Sequence, residues 1–247
     1  MPATPAWPPK SLTRLFVRQP LSEGAPVELD RAQANYLGNV MRLKEGDQLL
    51  LFDGESGEWL ARISQAGRKS MALTVDRKTR EPETMPDVWL AFAPVKRAAT
   101  DWLVEKSTEL GAARLIPVIT QRTIVDRVKL DRLEAIAIEA AEQCGRTRLP
   151  RIAEPTQLGH FLESHDPERT LYFADESGGE RAAQTFKPGA ATILTGPEGG
   201  FTDEERASIR ASRNAVAISL GPRILRAETA ALAALATYMA VAGDWRP

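Results

Sequence analysis

Two stretches of this 247-residue chain carry residue types that can grip a ligand through exposed backbone. The first, "TGPEGGFTDEE", runs from Thr195 to Glu205 behind the apolar residues Ile193 and Leu194. Three glycines and a proline fall within residues 196–200, ahead of a Thr and three acids. No Lys follows in phosphate-loop position, and the G-x-G-x-x-G spacing of dinucleotide folds is absent. Asp203, Glu204 and Glu205 fill the first turn of the following helix, where they complement its dipole and repel an anion. A ligand held here is therefore not a polyphosphate. The plainer reading is a strand-to-helix turn capped by Thr202. The second stretch, "ISLGPRILRAETA" (218–230), repeats the design of strand, Gly-Pro, helix. Two such loops can face each other across a flat heterocycle, with Ile224 and Leu225 against its face. Arg223 and Arg226 beside a helix start oppose the dipole, which points to an acid or a phosphate nearby; an ordinary surface Arg pair reads as well. A third stretch, "EAAEQCGR", puts Glu142 and Arg146 four apart on one helix face, a spacing that also suits a plain salt bridge.

The elements that must position these residues fall into two groups. Over residues 11–80 the pattern is β: Leu15-Phe16-Val17, "QLLLF" after Gly46-Asp47, "GEWLARIS" and "MALTVD", with one helical stretch from Arg31 to Arg42. Several short strands with one helix predict a small β-barrel. Residues 81–87, acidic and Pro-containing, read as a linker. From residue 88 strands and helices alternate. Strands are expected at 88–93, 114–119, 170–174, 191–195 and 215–220. Helices are expected at 97–110, 129–144, 202–212 and 227–242. The first has Trp102, Leu103, Lys106 and Leu110 on one side and Gly111 as its stop. Thr202 and Glu205 form a capping box. Such alternation implies an α/β domain with a parallel sheet.

Composition narrows the chemistry. One cysteine, Cys144, excludes an internal disulfide and a Cys-built zinc cluster, and two histidines make a His-built metal site unexpected. No apolar run reaches the roughly 18 residues of a membrane span. The first ten residues, with four prolines, predict a disordered lead-in (1–10), and they lack the basic-then-apolar pattern of an export signal. A reducing, cytoplasmic setting is expected. Net charge is −1, but residues 1–80 hold 12 Lys and Arg against 9 Asp and Glu, and residues 96–151 hold 11 against 8. A local basic surface of this size is enough for phosphate contacts.

"LTGPEGGFTDEE" followed by "LGPRILRAETA", with "EAAEQCGR" upstream, resembles the RsmE-type ribosomal RNA methyltransferases of the SPOUT class. "YLGNVMRLKEGDQLLLFDG" resembles the family's N-terminal PUA-like barrel, and "KSTELGAARLIPVITQRT" the start of its catalytic domain, so the resemblance covers nearly the whole chain. It implies a deep trefoil knot in the domain from residue 88 to 247. It implies S-adenosylmethionine as cofactor, held by Leu194, Thr195, Gly196, Glu198, Gly199 and Gly200 from one loop and Leu220, Gly221, Ile224 and Leu225 from the other. It implies methylation of N3 of one uridine (U1498) in the 16S RNA of the small ribosomal subunit. A homodimer is implied too, with the apolar helix 227–242 as interface or, equally, as buried core.

The chemistry then asks for a base, or for cations that stabilise a uracil anion, because the N3 proton must leave. The residues placed for this are Glu142, Arg146, Arg226 and Glu228, with Gln143 beside the substrate. Phosphate contacts are expected from Arg14, Arg42, Lys44, Arg62, Lys96, Arg97, Arg122 and Arg148. The chain departs from the family pattern at Asn35-Tyr36, where a histidine is expected, at Cys144, where serine is common, and in lacking a Trp before "EAAEQ". Two other readings fit the same residues: a SPOUT enzyme on another RNA, and an RNA-binding ribosome-assembly factor without catalysis.

Overall fold

The computed structural model describes residues 12–67, 70–125 and 127–246; the expected lead-in at 1–10 lies outside them. The chain forms two compact units. Unit 1 comprises Met1–Thr84 together with Ala141–Leu149, and unit 2 comprises Met85–Ala140 with Pro150–Pro247.

Unit 1 is built on five strands: β1 (Arg14–Phe16), β2 (Pro26–Leu29), β3 (Gln48–Phe52), β4 (Glu58–Ala66) and β5 (Met71–Arg80). Their order is β1-β3-β4-β5-β2, with β1 parallel to β3 and the other ladders antiparallel. Where the sequence suggests a barrel, no ladder joins β1 to β2 among the described residues. Alternation sets the core: Leu49 and Leu51 of β3, Ala61 and Ile63 of β4, and Leu73 and Val75 of β5 pack inward. Strand β2, which the sequence pattern does not reveal, has only Val27 and Leu29 to bury and starts on a proline, which the first position of an edge strand tolerates.

The helix expected over 31–42 is shorter and broken. Helix α1 (Arg31–Asn35) starts from an Asp30–Gln33 capping box and passes into a π-helical turn at Tyr36–Val40. Gly38 lies inside that turn, Asn39 Nδ2 donates to Asn35 Oδ1 at 2.7 Å, and Arg42 closes it at φ 58°. Helical spacing alone does not distinguish an α from a π turn.

The segment 141–149, read from sequence as part of the second domain, packs with unit 1. Phe16 N donates to Glu142 Oε1 at 2.9 Å, Arg80 Nη2 to Gly145 O at 2.6 Å, and Glu83 N to Thr147 Oγ1 at 2.9 Å. Arg14 supplies the strongest tie. Its Nη1 donates to the carbonyls of Ala141 and Glu142, its Nη2 to that of Arg146, and its Nε to Glu58. These are carbonyls at a helix end, which lack intrahelical donors and carry negative partial charge. Burial would raise the Glu58 pKa, but the hydrogen bond from Arg14 and the charges of Arg80 and Arg14 hold it below its ordinary value. The expected phosphate contact at Arg14 therefore gives way: the guanidinium is buried and its donors are used.

Unit 2 holds an all-parallel sheet in the order β11-β13-β10-β12-β6-β7-β8. Its strands are β6 (Val88–Phe92), β7 (Arg114–Ile119), β8 (Arg151–Ile152), β10 (Thr170–Ala174), β11 (Glu180–Arg181), β12 (Ala191–Thr195) and β13 (Ala215–Ser219), with the short β9 (Thr156–Gln157) also on β7. β12 enters late and lies between β6 and β10.

Both faces of this sheet are covered, which is why its strands are apolar throughout. On one face Leu90, Phe92, Tyr172 and Ile193 meet helices α2 (Arg97–Glu109), α3 (Leu130–Cys144), α5 (Ala182–Thr185) and α7 (Ala227–Val241). On the other, Ala91, Leu171, Phe173 and Leu194 meet α4 (Leu158–Ser164) and α6 (Asp203–Ala211). Helix α7 buries Ala231, Ala234, Leu235, Tyr238 and Met239 in this core, so that face is spent inside the subunit. In α2 the buried face is Thr100, Leu103, Val104, Ser107 and Thr108, one position round from the expected one, and Trp102 is 43% exposed. Among the described residues no helix is long and apolar enough to cross a membrane.

Candidate functional site

Three neighbouring strands of unit 2 end side by side. Phe173 of β10 pairs with Leu194 of β12, and Ala174 with Ile218 of β13. Ligands of open α/β sheets bind beyond such carboxyl ends. The loops that leave them enclose a cleft of about 300 Å³. Thr195, Gly196, Glu198 and Gly200 line it from the first expected loop; Leu220, Gly221, Ile224 and Leu225 line it from the second. The geometry thus brings together eight of the ten residues expected to hold a cofactor. Leu194 points instead into the core below, fully buried against Phe201 and Ile209. Gly199 faces away from the cleft lining, and a Cβ there would meet the side chain of Arg122 at 3.3 Å.

The glycine loop is held from outside. Arg122 Nη1 donates to Gly199 O at 2.6 Å, so this arginine, expected on phosphate, is spent on the loop. Gly200 sits at φ 66°, and a Cβ there would collide with the Glu176 carboxylate. The capping box exists as read: Glu205 N donates to Thr202 Oγ1 at 3.2 Å, and Thr202 N to Glu205 Oε2 at 3.0 Å. Glu205 has a second use, since its Oε1 accepts from Gln121 N at 2.7 Å.

The third wall, residues 174–178, is absent from the sequence reading. "YFADESGG" has the same design as the other two loops, a strand end running into a Gly-containing turn, and could have been found by that signal. Its centre is Asp175, whose side chain is 0% exposed. It accepts from Ser177 N (2.9 Å) and Oγ (2.7 Å), Arg206 Nη1 (2.8 Å) and Arg210 Nη2 (2.6 Å). Burial would raise its pKa, but the hydrogen bonds from Arg210, Ser177 and Arg206 hold it below the ordinary 3.8. Arg206 also donates from Nη2 to Phe201 O at 3.1 Å and lines the cleft. One arginine thus joins the third loop, helix α6 and the glycine loop.

The expected catalytic residues divide between the units. Glu142 is half-buried in unit 1, its Oε1 taken by Phe16 N. Arg146 is 6% exposed and bonds Glu83 through Nε at 3.2 Å, the placement of a structural cation rather than of a group open to substrate. Arg226 is exposed at the N-cap of α7 in unit 2, and Glu228 stands in that helix's first turn; both flank cleft-lining residues, Leu225 and Ala227. Of the remaining RNA expectations, Arg42, Lys44, Lys96, Arg97 and Gln143 are exposed, and Arg62 is exposed but paired with Asp76 at 3.0 Å. Arg148 is half-buried, with its backbone N on Glu83.

A family model described as an RNA methyltransferase domain matches residues 81–239, and one described as an RNA methyltransferase PUA domain matches residues 29–76. Among curated relatives, "Ribosomal RNA small subunit methyltransferase E" of Rickettsia conorii is 33% identical over 229 residues, covering 90% of this chain and 93% of that one. The protein of the same name from Synechocystis is 35% identical, covering 88% and 74%. A crystal structure of a ribosomal RNA small subunit methyltransferase E from Neisseria gonorrhoeae, bound to S-adenosyl methionine, superposes with a TM-score of 0.89 at 28% identity, covering 95% of this chain and all of that one. With glycine loops meeting at the carboxyl edge of a parallel sheet and this match along almost the whole chain, the protein belongs to the RNA methyltransferase family whose curated members are named ribosomal RNA small subunit methyltransferase E.

Proposed function

We propose that the cleft binds S-adenosylmethionine and that the protein transfers its methyl group to N3 of a uridine, U1498 in the family's pattern, in 16S ribosomal RNA of the small subunit. The observation that carries this is the three-loop cleft itself. It offers backbone groups and apolar side chains with Glu176 and Glu198 at its wall, and its glycine loop leads into an acidic helix start. That chemistry suits a phosphate-free cation such as a sulfonium. The order in which β12 is inserted between β6 and β10 supports the trefoil knot, and the PUA-type match over 29–76 supports an RNA-binding role for unit 1. A cytoplasmic homodimer completes the reading. Ile224, 94% exposed at the cleft mouth, is the surface we assign to the second subunit.

The cofactor, when bound, supplies the activated methyl group. The chain must then admit a uracil, exclude water and accommodate the N3 proton. A new C–N bond forms as the C–S bond breaks, and the proton leaves N3 to a base. Of the four expected residues, Arg226 and Glu228 carry neither an ion pair nor a side-chain hydrogen bond among the described residues, and they adjoin the cleft. We assign them the roles of anion stabiliser and proton acceptor.

Two measurements test this. Calorimetry with S-adenosylmethionine should show one site per chain; a folded protein with no binding removes the proposal. Labelled methyl transfer to small subunits, with nuclease mapping of the product, should return 3-methyluridine. Label on another base or only on transfer RNA would favour a SPOUT enzyme with a different substrate, and cofactor binding without transfer would favour the assembly-factor reading.

A further inference from the structure

A second cavity lies in unit 2, at the edge of the same sheet. It measures about 140 Å³, and Pro94, Val95, Val125, Val128 and Leu133 give it an apolar floor. Arg97, Arg127, Lys129 and Arg132 stand around its rim. Arg132 is neutralised, with Nε and Nη2 on Asp101 at 2.9 and 2.6 Å. Arg97, Arg127 and Lys129 are exposed and carry no ion pair or side-chain hydrogen bond among the described residues. Elsewhere in the chain Arg14, Arg80, Arg122, Arg169, Arg206 and Arg210 are all committed to acceptors. Three like charges around an apolar hollow repel one another and are relieved by an anion among them.

Two sets of bonds place the hollow beside the cofactor cleft. Ala93 N donates to Thr195 O at 3.0 Å, so Pro94 and Val95 leave β6 next to the strand end that opens the glycine loop. The segment after β7 that carries Val125, Arg127 and Lys129 begins with Gln121 and Arg122, which bond Glu205 and Gly199. A strand that lay in the hollow would therefore run past the glycine loop.

We propose that this hollow is a nucleotide-docking subsite for single-stranded RNA. Its floor takes the base of a residue flanking the methylated one, and Arg97, Arg127 and Lys129 take the adjoining phosphates. The inference rests on the RNA methyl transfer argued above and says where the strand is held.

The probe is a fluorescent oligouridylate, with its binding to the cofactor-loaded full chain followed by anisotropy over a range of salt. Arg127→Gln with Lys129→Gln should weaken binding about tenfold and lower the salt slope by about 1.4, for two single-strand phosphates at about 0.7 each. Val125→Leu with Val128→Leu narrows the floor without touching a charge. It should weaken binding by about threefold or more at an unchanged slope. Calorimetric affinity for S-adenosylmethionine should stay within about twofold in both variants. Wild-type RNA binding by the floor variant would leave only surface charge and overturn the subsite, as would an unchanged slope in the charge variant or a loss of cofactor affinity in it. The outcome is separable from the methyl-transfer reading. If wild type fails to methylate small subunits while both variants weaken RNA as stated, the subsite stands and that reading falls.

Discussion

The two edges of the unit 2 sheet are built to opposite plans. At the amino edge, the Arg169 side chain is 5% exposed and tied to the strands around it. Its Nη1 donates to the carbonyls of Asp87 and Ala191 at 2.9 Å, its Nη2 grips both Asp87 carboxylate oxygens at 2.6 Å, and its guanidinium lies 3.7 Å over the Trp89 ring. At the carboxyl edge, backbone turns through glycine, Ile224 stands in solvent, and Arg97, Arg127 and Lys129 carry no ion pair or side-chain hydrogen bond among the described residues. The contrast teaches which polar groups serve stability and which serve binding: a buried cation whose two terminal nitrogens are committed to acceptors holds strands together, and an exposed cation with no partner among the described residues can take one from a ligand. Substitutions at the two edges should therefore separate folding from ligand affinity.

The largest effect is expected at the closed edge. Arg169→Ala removes donors from two carbonyls and the stack on Trp89, at a cost of roughly 2–4 kcal/mol. Thermal and urea unfolding should show the loss, while calorimetric affinity for S-adenosylmethionine in the folded fraction stays unchanged. A variant with wild-type stability but weaker cofactor binding would invert the comparison.

Arg206 tests whether one residue can belong to both plans. It stabilises Asp175 as the amino edge stabilises Asp87, yet it lines the cleft. Arg206→Gln should cost about 1.5–3 kcal/mol as a charge-assisted bond to a buried carboxylate, and should also raise the cofactor KM with little change in kcat. The same network sets a pH dependence. The folded Asp175 has a depressed pKa, so its ionised form adds stability that is present above the ordinary 3.8 and is lost as pH falls through the folded value. Below about pH 4 wild type should lose stability more steeply than Asp175→Asn. Parallel acid curves for the two proteins would show that the carboxylate is not what the arginines hold.

The open edge was largely legible in the sequence because glycine, proline and cap residues are local signals. Eight of the ten residues expected at the two glycine loops line the cleft, and "TGPEGGFTDEE" also shows the Thr202–Glu205 box. Tertiary commitments were not legible. Arg14 and Arg122 look like surface cations in a string of letters, and only long-range pairing shows that Ala141 O and Gly199 O claim them. The same holds for Arg146 and for the docking of 141–149 onto unit 1. Periodicity also misjudged what depends on neighbours rather than on spacing: the π turn at Tyr36–Val40, and the face of α2 that buries Leu103 but exposes Trp102.

Gly200 sharpens the distinction within the loop itself. Only here does the glycine run combine a left-handed φ with a neighbour, Glu176, in the path of a Cβ. Gly200→Ala should weaken S-adenosylmethionine by about tenfold, from roughly 1–2 kcal/mol of left-handed strain and the displaced carboxylate. Gly199→Ala, which presses only on the flexible Arg122 side chain, should weaken it less. Equal losses at the two positions would mean that the loop acts as one rigid piece rather than through Gly200.

The smallest effect is expected two residues past Gly200. Thr202 caps α6 through Glu205 N, and nothing in its geometry faces the cleft lining. Thr202→Ala should cost about 1 kcal/mol of stability, as an N-cap does, and Thr202→Ser should restore it. Glu205 would keep its bond to Gln121 N, so the loop after β7 stays anchored and cofactor affinity should hold within about twofold. If affinity instead fell as far as in Gly200→Ala, the acidic helix start would be part of the ligand site. The boundary between the residues that hold α6 and those that hold the cofactor would then move from Gly200 into the helix.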